Sequence, residues 1–361
     1  MNICCTKKLQ DEMEIKIKEY NEENDIFSWS VNLIKLKRKK AVVVVNDSSR
    51  FGFILFGLKA KDFKKIDELI VEGIKRCLKD ENIKEELIEN YINDAGKVTY
   101  SKTKGPKYVS RLNKACECVT FFEELIDSEE IYQVQLTKKI NGDYIMVNKS
   151  NYEHPYDLLL EDFKAIYGDS IIKGEAAQIL VKLKLGAYTA KREIMIPMNI
   201  NFKEFHKILQ KAFEWQEYHL YDFNIFNEKC EYVLNVISEH EDEVIFNGVK
   251  IEVDSKVLVR DYMKKGFKIV YNYDYGDGWE HEIKIKKIVT DYDKNYPVCL
   301  KGSGDAPPED VGGAPGYEDF LEIIENSNHP EYGEMKRWGD SQGYRKFELG
   351  HTNMNLRYSL R

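Results

Sequence analysis

A chain of 361 residues with 43% apolar and 32% charged side chains and a formal net charge of −8 has room for two ordinary globular domains, each with its own core. Its 8 prolines and 22 glycines exclude a fibrous or largely disordered polymer, and the lack of any run of about 18 apolar residues excludes a membrane-spanning helix. The 7 cysteines, an odd number, match neither a disulfide framework nor a zinc ribbon, and the N-terminus lacks the charged-then-apolar order of a secretory signal, so a cytoplasmic protein with reduced thiols and no membrane association is expected.

The first half reads as an α+β domain over residues 1–172. A charged stretch (10–25) has helical composition, and 29–36 alternates apolar with polar residues in places. The run Ala41-Val42-Val43-Val44-Val45 is continuous and β-branched, as a strand covered on both faces would be. Asn46 to Arg50 is turn chemistry and 51–56 a second strand, which makes 41–56 a hairpin. Phe63, Ile66, Leu69, Ile70, Ile74 and Leu78 recur at helical spacing, and a second helix spans about 82–93. The basic segment 96–110, broken by Gly105-Pro106, reads as a mobile loop. Helical spacing returns from Arg111 to Leu125, an extended segment is expected at 131–147, and a helix at about 157–167.

The second domain is expected over 178–361 as a mostly antiparallel sheet with helices packed on it. Residues 178–185 and 192–198 are amphipathic strands, and Asn201 caps a helix whose Phe202, Phe205, Ile208, Leu209, Ala212 and Phe213 form one apolar stripe. Further strands are expected at 219–226, 231–237, 267–275 and 279–287, and a last clear helix at about 317–326. Period-two alternation places Phe267, Ile269, Tyr271, Tyr273 and Tyr275 on one face, and Trp279, His281, Ile283 and Ile285 on the apolar face of the next strand. His219 falls in line with Tyr221, Phe223 and Ile225 in the same way.

Between the last two strands lies Tyr273-Asp274-Tyr275-Gly276-Asp277-Gly278-Trp279-Glu280-His281, the turn around which the domain is organised. Two chemical readings attach to it. Tyr273, Tyr275, Trp279 and Tyr221 would line a sheet end able to hold a ligand, since aromatics with polar tips suit binding faces. His219, His281, Asp277, Glu309 and Asp310 form a metal-ligand inventory, so a divalent metal is possible although no cofactor motif is evident. The bland reading is that the histidines are hydrogen-bonded core and that Asp-Gly is ordinary turn chemistry. No His-x-x-x-His, phosphate-binding loop or nucleophile elbow occurs, and Cys116-x-Cys118 lacks a second pair.

Charge is unevenly distributed. Residues 1–120 hold 24 Lys and Arg against 19 Asp and Glu, whereas the remainder holds 30 against 43. The basic run Lys35-Leu36-Lys37-Arg38-Lys39-Lys40, with Lys102, Lys104, Lys107, Arg111 and Lys114, offers a nucleic acid or protein partner a basic patch; solvated charge flanking the valine strand is the commoner explanation.

Ala190-Lys191-Arg192-Glu193-Ile194, Phe213-Glu214-Trp215, His219-Leu220-Tyr221-Asp222-Phe223, the acidic turn, Pro307-Pro308-Glu309-Asp310-Val311-Gly312-Gly313 and Gly316-Tyr317 follow in an order that resembles the plasmid pRiA4b ORF-3-like family, also labelled as insertion-sequence passenger proteins. The resemblance covers about half the chain and implies an α+β domain carried on plasmids, mobile elements and chromosomes of prokaryotes, without a defined reaction. Two positions depart from it: the family's cysteine before Pro-Pro-Glu-Asp is Ala306 here, and Lys191 alters the pattern before Arg192. Cys5-Thr6-Lys7-Lys8-Leu9, followed by a Trp29-containing strand, resembles an uncharacterised domain family. The expectation is a binding or interaction protein, with a metal-dependent hydrolase acting on nucleic acid as the alternative.

Overall fold

In a computed structural model of the chain, residues 1–15, 17, 24–148, 150–238 and 249–361 are described, and among them the chain divides into two units, Met1–Lys173 with Arg361 and Gly174–Leu360. Each carries its own sheet and helices, so the chain is an α+β protein. Among the described residues no helix is long and apolar enough to cross a membrane.

In the first unit, β1 (Asn2–Cys5), α1 (Lys7–Met13), β2 (Ser28–Leu36), β3 (Lys39–Asn46) and β4 (Gly52–Leu58) precede α2 (Ala60–Phe63), α3 (Ile66–Asp80) and α4 (Glu85–Ala95). Then follow β5 (Thr99–Lys102), α5 (Pro106–Phe121), α6 (Val134–Gly142), the small hairpin β6 (Ile145–Asn148) and β7 (Asn151–Glu153), and α7 (Pro155–Tyr167). The main sheet has the order β4-β3-β2-β1-β5. Its valine strand is buried on both faces: Val42 and Val44 pack with Trp29, Phe53 and Ile74, whereas Val43 and Val45 pack with Leu112, Val119 and Leu136. An unbroken apolar strand is the required answer to that two-sided burial.

Two expectations for this unit are corrected. The segment 96–110 is not a loop: residues 99–102 pair in parallel with β1, and Pro106 opens α5 from the first helical position, where its missing N–H costs nothing. The segment 131–147 is not extended throughout, because Leu136 and Ile140 are buried one helical turn apart in α6 and only 145–148 forms a strand. The charged stretch 10–25 lies partly outside the described residues.

In the second unit, β8 (Gly174–Leu185) and β9 (Tyr188–Pro197) lead to α8 (Phe202–Phe213), then β10 (Tyr221–Phe226), β11 (Tyr232–Ile237), β12 (Ile251–Val253), β13 (Lys268–Tyr273), β14 (Trp279–Tyr292) and β15 (Val298–Ser303). The helices α9 (Gly313–Glu325), α10 (Tyr332–Ser341) and α11 (Leu349–Arg357) complete it. The sheet order is β12-β11-β10-β13-β14-β8-β9-β15, antiparallel except for β11 with β12. α8 begins where its sequence says it should: the Asn201 side chain accepts the Glu204 N–H at 2.9 Å and the Glu204 carboxylate accepts the Asn201 N–H at 3.0 Å, a reciprocal cap. Its apolar stripe lies on the sheet, with the Phe205 and Phe223 rings stacked 5.4 Å apart.

Arg192 on β9 is the unexpected core residue. It is 2% exposed, and its guanidinium donates to the carbonyls of Ala212, Lys191, Ser303 and Gly304 while lying 3.9 Å from the centre of the Phe347 ring. A buried cation satisfied by four carbonyls joins the end of α8, β9 and the chain after β15.

Candidate metal centre

The β13–β14 hairpin sets one wall. Tyr273 stands opposite Trp279 and Tyr271 opposite His281, so all four side chains point into the core, as alternation requires. The turn between them closes with Asp274 in the left-handed region (φ 53°), where an aspartate is tolerated because its side chain can bond its own backbone. Oδ1 of Asp274 does this, accepting the N–H groups of Gly276 at 2.9 Å and Asp277 at 3.3 Å. Oδ2 remains.

The second wall is the segment after α8. Trp215 donates from Nε1 to the Pro307 carbonyl at 2.8 Å, and the Gln216 N–H donates to Glu309 Oε1 at 2.8 Å. These bonds draw the Pro-Pro-Glu-Asp loop against the residues that carry His219. Tyr273 completes the frame: its hydroxyl donates to Glu309 at 3.0 Å and accepts the Tyr218 N–H at 3.1 Å. Glu309 is 1% exposed, and burial raises its pKa despite the opposing bonds from Gln216 and Tyr273.

His219 sits in the middle, before β10 begins and not on the strand as alternation suggested. Its Nε2 lies 3.1 Å from Asp310 Oδ1, 3.6 Å from Asp274 Oδ2 and 3.8 Å from Glu309 Oε2. That nitrogen is buried and, among the described residues, makes no hydrogen bond, because none of these carboxylates meets it in hydrogen-bonding geometry. One ligand atom each from His219, Asp274 and Asp310 falls within 4.8 Å of the others. Neighbouring ligands of a small divalent cation bound at about 2.1 Å lie roughly 3–3.5 Å apart, so the two contacts of His219 with its aspartates are close to that edge length. Asp310 also borders a groove of about 540 Å³ lined by Phe320, Met335 and Trp338.

The expected ligand sets are redistributed. Among the expected metal residues, His219, Glu309 and Asp310 come together, and Asp274 joins them in place of its turn neighbour. Asp277 turns away, its carboxylate accepting the Gly312 N–H at 3.2 Å. His281 is fully buried between Phe213, Trp215 and Tyr271, with Nδ1 3.3 Å from the Tyr271 carbonyl, and burial pulls its pKa down to about 3. It is a neutral core histidine outside the cluster. Of the expected aromatic ligand face, Tyr221, Tyr273 and Trp279 are buried under α8 and the flanking loops, with Tyr221 stacked 3.6 Å from His206; Tyr275, past the end of β13, is exposed. The signal in the sequence that could single out Asp274 is its place two residues before a glycine, the usual setting for a side chain that folds back on a turn.

The chain belongs to the plasmid pRiA4b ORF-3-like protein family, whose model matches residues 175–355, the span that holds this cluster. Residues 2–158 match a second family model, a domain of unknown function, DUF6933. Over 164 residues the chain is 31% identical to uncharacterized protein y4hQ of Sinorhizobium fredii, an alignment that spans 45% of this chain and 80% of that protein. A protein of unknown function from Methanosarcina mazei Go1, MM3350, is similar at 28% identity with a TM-score of 0.41, over 49% of this chain and 96% of that crystal structure's chain.

Proposed function

We propose that the protein is a binding protein whose second unit holds a divalent cation through His219, Asp274 and Asp310. The observation that carries this reading is the buried Nε2 of His219, free of hydrogen bonds and faced by aspartate oxygens at 3.1 and 3.6 Å. Imidazole with two carboxylates suits zinc or manganese better than calcium, and three protein ligands leave positions for a further group. Elemental analysis of the purified chain and calorimetric titration with Zn²⁺ and Mn²⁺ test it. One equivalent should bind, and Asp310→Asn, a change at an exposed side chain, should weaken binding roughly tenfold or more. Failure of either ion to bind, or equal binding by His219→Gln and the wild type, sinks the reading.

A second reading, a metal-dependent hydrolase with nucleic acid among its candidate substrates, is favoured by Glu309. Its buried carboxylate, with Oε2 3.8 Å from His219 Nε2, lies beside the ligand atoms without belonging to the three-ligand set, where it is placed to take a proton from water. Hydrolysis of an activated phosphodiester that needs Zn²⁺ or Mn²⁺ and is lost in Glu309→Gln, with metal affinity retained, distinguishes it from binding alone.

A further inference from the structure

Strand direction decides what gathers at each end of the first unit's sheet. β1 runs parallel to both β2 and β5, and β3 is antiparallel to both β2 and β4, so β4 points the same way as β2. The C-terminal ends of β1, β2, β4 and β5 therefore share one end of the sheet, together with the β2–β3 turn. Basic residues follow every one of them: Lys8 after β1; Lys35, Lys37, Arg38 and Lys39 around the turn; Lys59, Lys61, Lys64 and Lys65 after β4; and Lys102 at the end of β5. Register brings the two large runs side by side, since Lys40 stands opposite Leu58 and Lys59 is the next residue.

All of these cations except Lys40 are exposed. Among the described residues, Lys8, Lys35, Lys37, Arg38, Lys39, Lys59, Lys61, Lys64 and Lys65 form no ion pair. Four carboxylates lie among them without pairing with these cations: Glu12 pairs with Lys40, Asp11 with Lys7, and Asp62 and Glu123 accept the backbone N–H groups of Lys59 at 2.8 Å and Lys37 at 3.4 Å, so cations outnumber the acidic groups at this end. Gathering like charges without partners costs folding free energy through repulsion. The turn adds to that cost, because Lys37 (φ 41°) and Arg38 (φ 64°) both occupy the left-handed region, where Asn and Gly are the usual residues. The apolar side chains beneath are covered: Leu36, Phe56 and Phe63 are buried, and the Lys39 and Lys40 ammonium groups each lie 5.4 Å above a Phe ring. The face thus offers cations and no wedge for insertion into a bilayer.

We infer that this end of the first unit's sheet binds the phosphate backbone of duplex nucleic acid. Five strands at about 4.8 Å spacing extend roughly 19 Å, over which duplex DNA presents on the order of ten phosphate charges. The β2–β3 ribbon, with Lys37 and Arg38 at its tip, has the shape that a major groove admits. Contacts made by lysines to phosphates position a protein without reading bases, so binding is indifferent to sequence.

The test is fluorescence anisotropy of a labelled mixed-sequence DNA duplex with the full chain, alongside sedimentation with vesicles of phosphatidylcholine and phosphatidylserine. Duplex affinity should fall about 1,000-fold between roughly 50 and 200 mM salt, and the vesicles should carry down no protein. The variant Lys37→Gln/Arg38→Gln/Lys39→Gln should flatten the log–log salt slope by about 3, because each phosphate contact contributes about 0.9. Lys59→Gln/Lys61→Gln/Lys64→Gln, on a different element and outside the strained turn, should flatten it equally with a melting temperature that does not fall. The inference is overturned by absence of duplex binding at low salt, by affinity that neither triple variant changes, or by capture on vesicles in place of DNA. None of these outcomes bears on the cation site of the second unit.

Discussion

The hydroxyl of Tyr273 donates to Glu309 at 3.0 Å and accepts the Tyr218 N–H at 3.1 Å, so one buried phenol at the end of β13 holds both loops of the candidate centre. Tyr273→Phe keeps the ring and deletes only that link. It leaves a backbone N–H and a buried carboxylate each short of a partner, which costs about 1–3 kcal/mol. Urea unfolding should register the loss, and cation affinity should fall with it. Unchanged stability would show that the loops are held by Trp215 and Gln216 alone.

Arg192 makes a separate prediction. Its carbonyl partners lie on three segments, and burial draws its pKa down to about 10, still far above neutrality. Arg192→Met fills similar volume but strands the carbonyls, for an expected loss of about 3 kcal/mol or more. Arg192→Lys should rescue little of it, because a point ammonium cannot reproduce a planar fork. Circular dichroism melts of both variants check this; full rescue by lysine would mean that charge matters and shape does not.

Acid should act with opposite sign on two buried histidines of the second unit and two buried aspartates of the first. In the second unit, burial holds His206 and His281 near pKa 3, against 6.5 when unfolded. Both are neutral in the folded protein, so below pH 6.5 the unfolded chain binds protons that the native one refuses. Their contribution falls by about 1.4 kcal/mol per pH unit for each histidine, down to pH 3. In the first unit, burial pushes Asp80 and Asp162 up to about 6 from 3.8, so the native state takes protons first and these groups favour folding as pH drops from 6 towards 3.8. Hydrogen exchange at pH 7 and 4.5 reads the units separately: relative protection should shift towards the first. His281→Leu should soften the second unit's acid loss by one proton's worth, and equal losses in both units would contradict the assignment.

Asp274 can be divided by substitution. Asp274→Asn keeps a side-chain acceptor and tolerance of the left-handed region, so cation affinity should fall with a smaller loss of stability than in Asp274→Ala. Asp274→Ala loses both acceptor and tolerance and should cost stability as well. Calorimetric titration paired with melting curves separates the two; retained affinity in the asparagine variant would remove Asp274 from the ligand set.

The chain was most legible where chemistry is local. The Asn201–Glu204 cap, the stripe of α8 and the inward placement of Trp279 and His281 all follow from spacing over a few residues. The centre was less so. Which carboxylates meet His219 is decided by the Gln216 N–H reaching Glu309, a contact between loops 93 residues apart in the chain, and no periodicity reports on such contacts. The same holds for β5, whose parallel pairing with β1 gives a strand to a stretch whose composition suggests a loop. His219 was misplaced for a related reason: alternation extrapolates a strand past its end, and β10 stops short of it.

Asp274 spends one carboxylate oxygen on the turn and presents the other to His219. Selection acting on the hairpin alone would preserve this residue as faithfully as selection acting on a bound ion. A lineage could therefore discard the ion and keep the motif, and its members would remain recognisable as kin after their chemistry had diverged. The neighbours that the turn does not need, His219 and Asp310, are therefore the positions at which loss or retention of an ion would leave its trace.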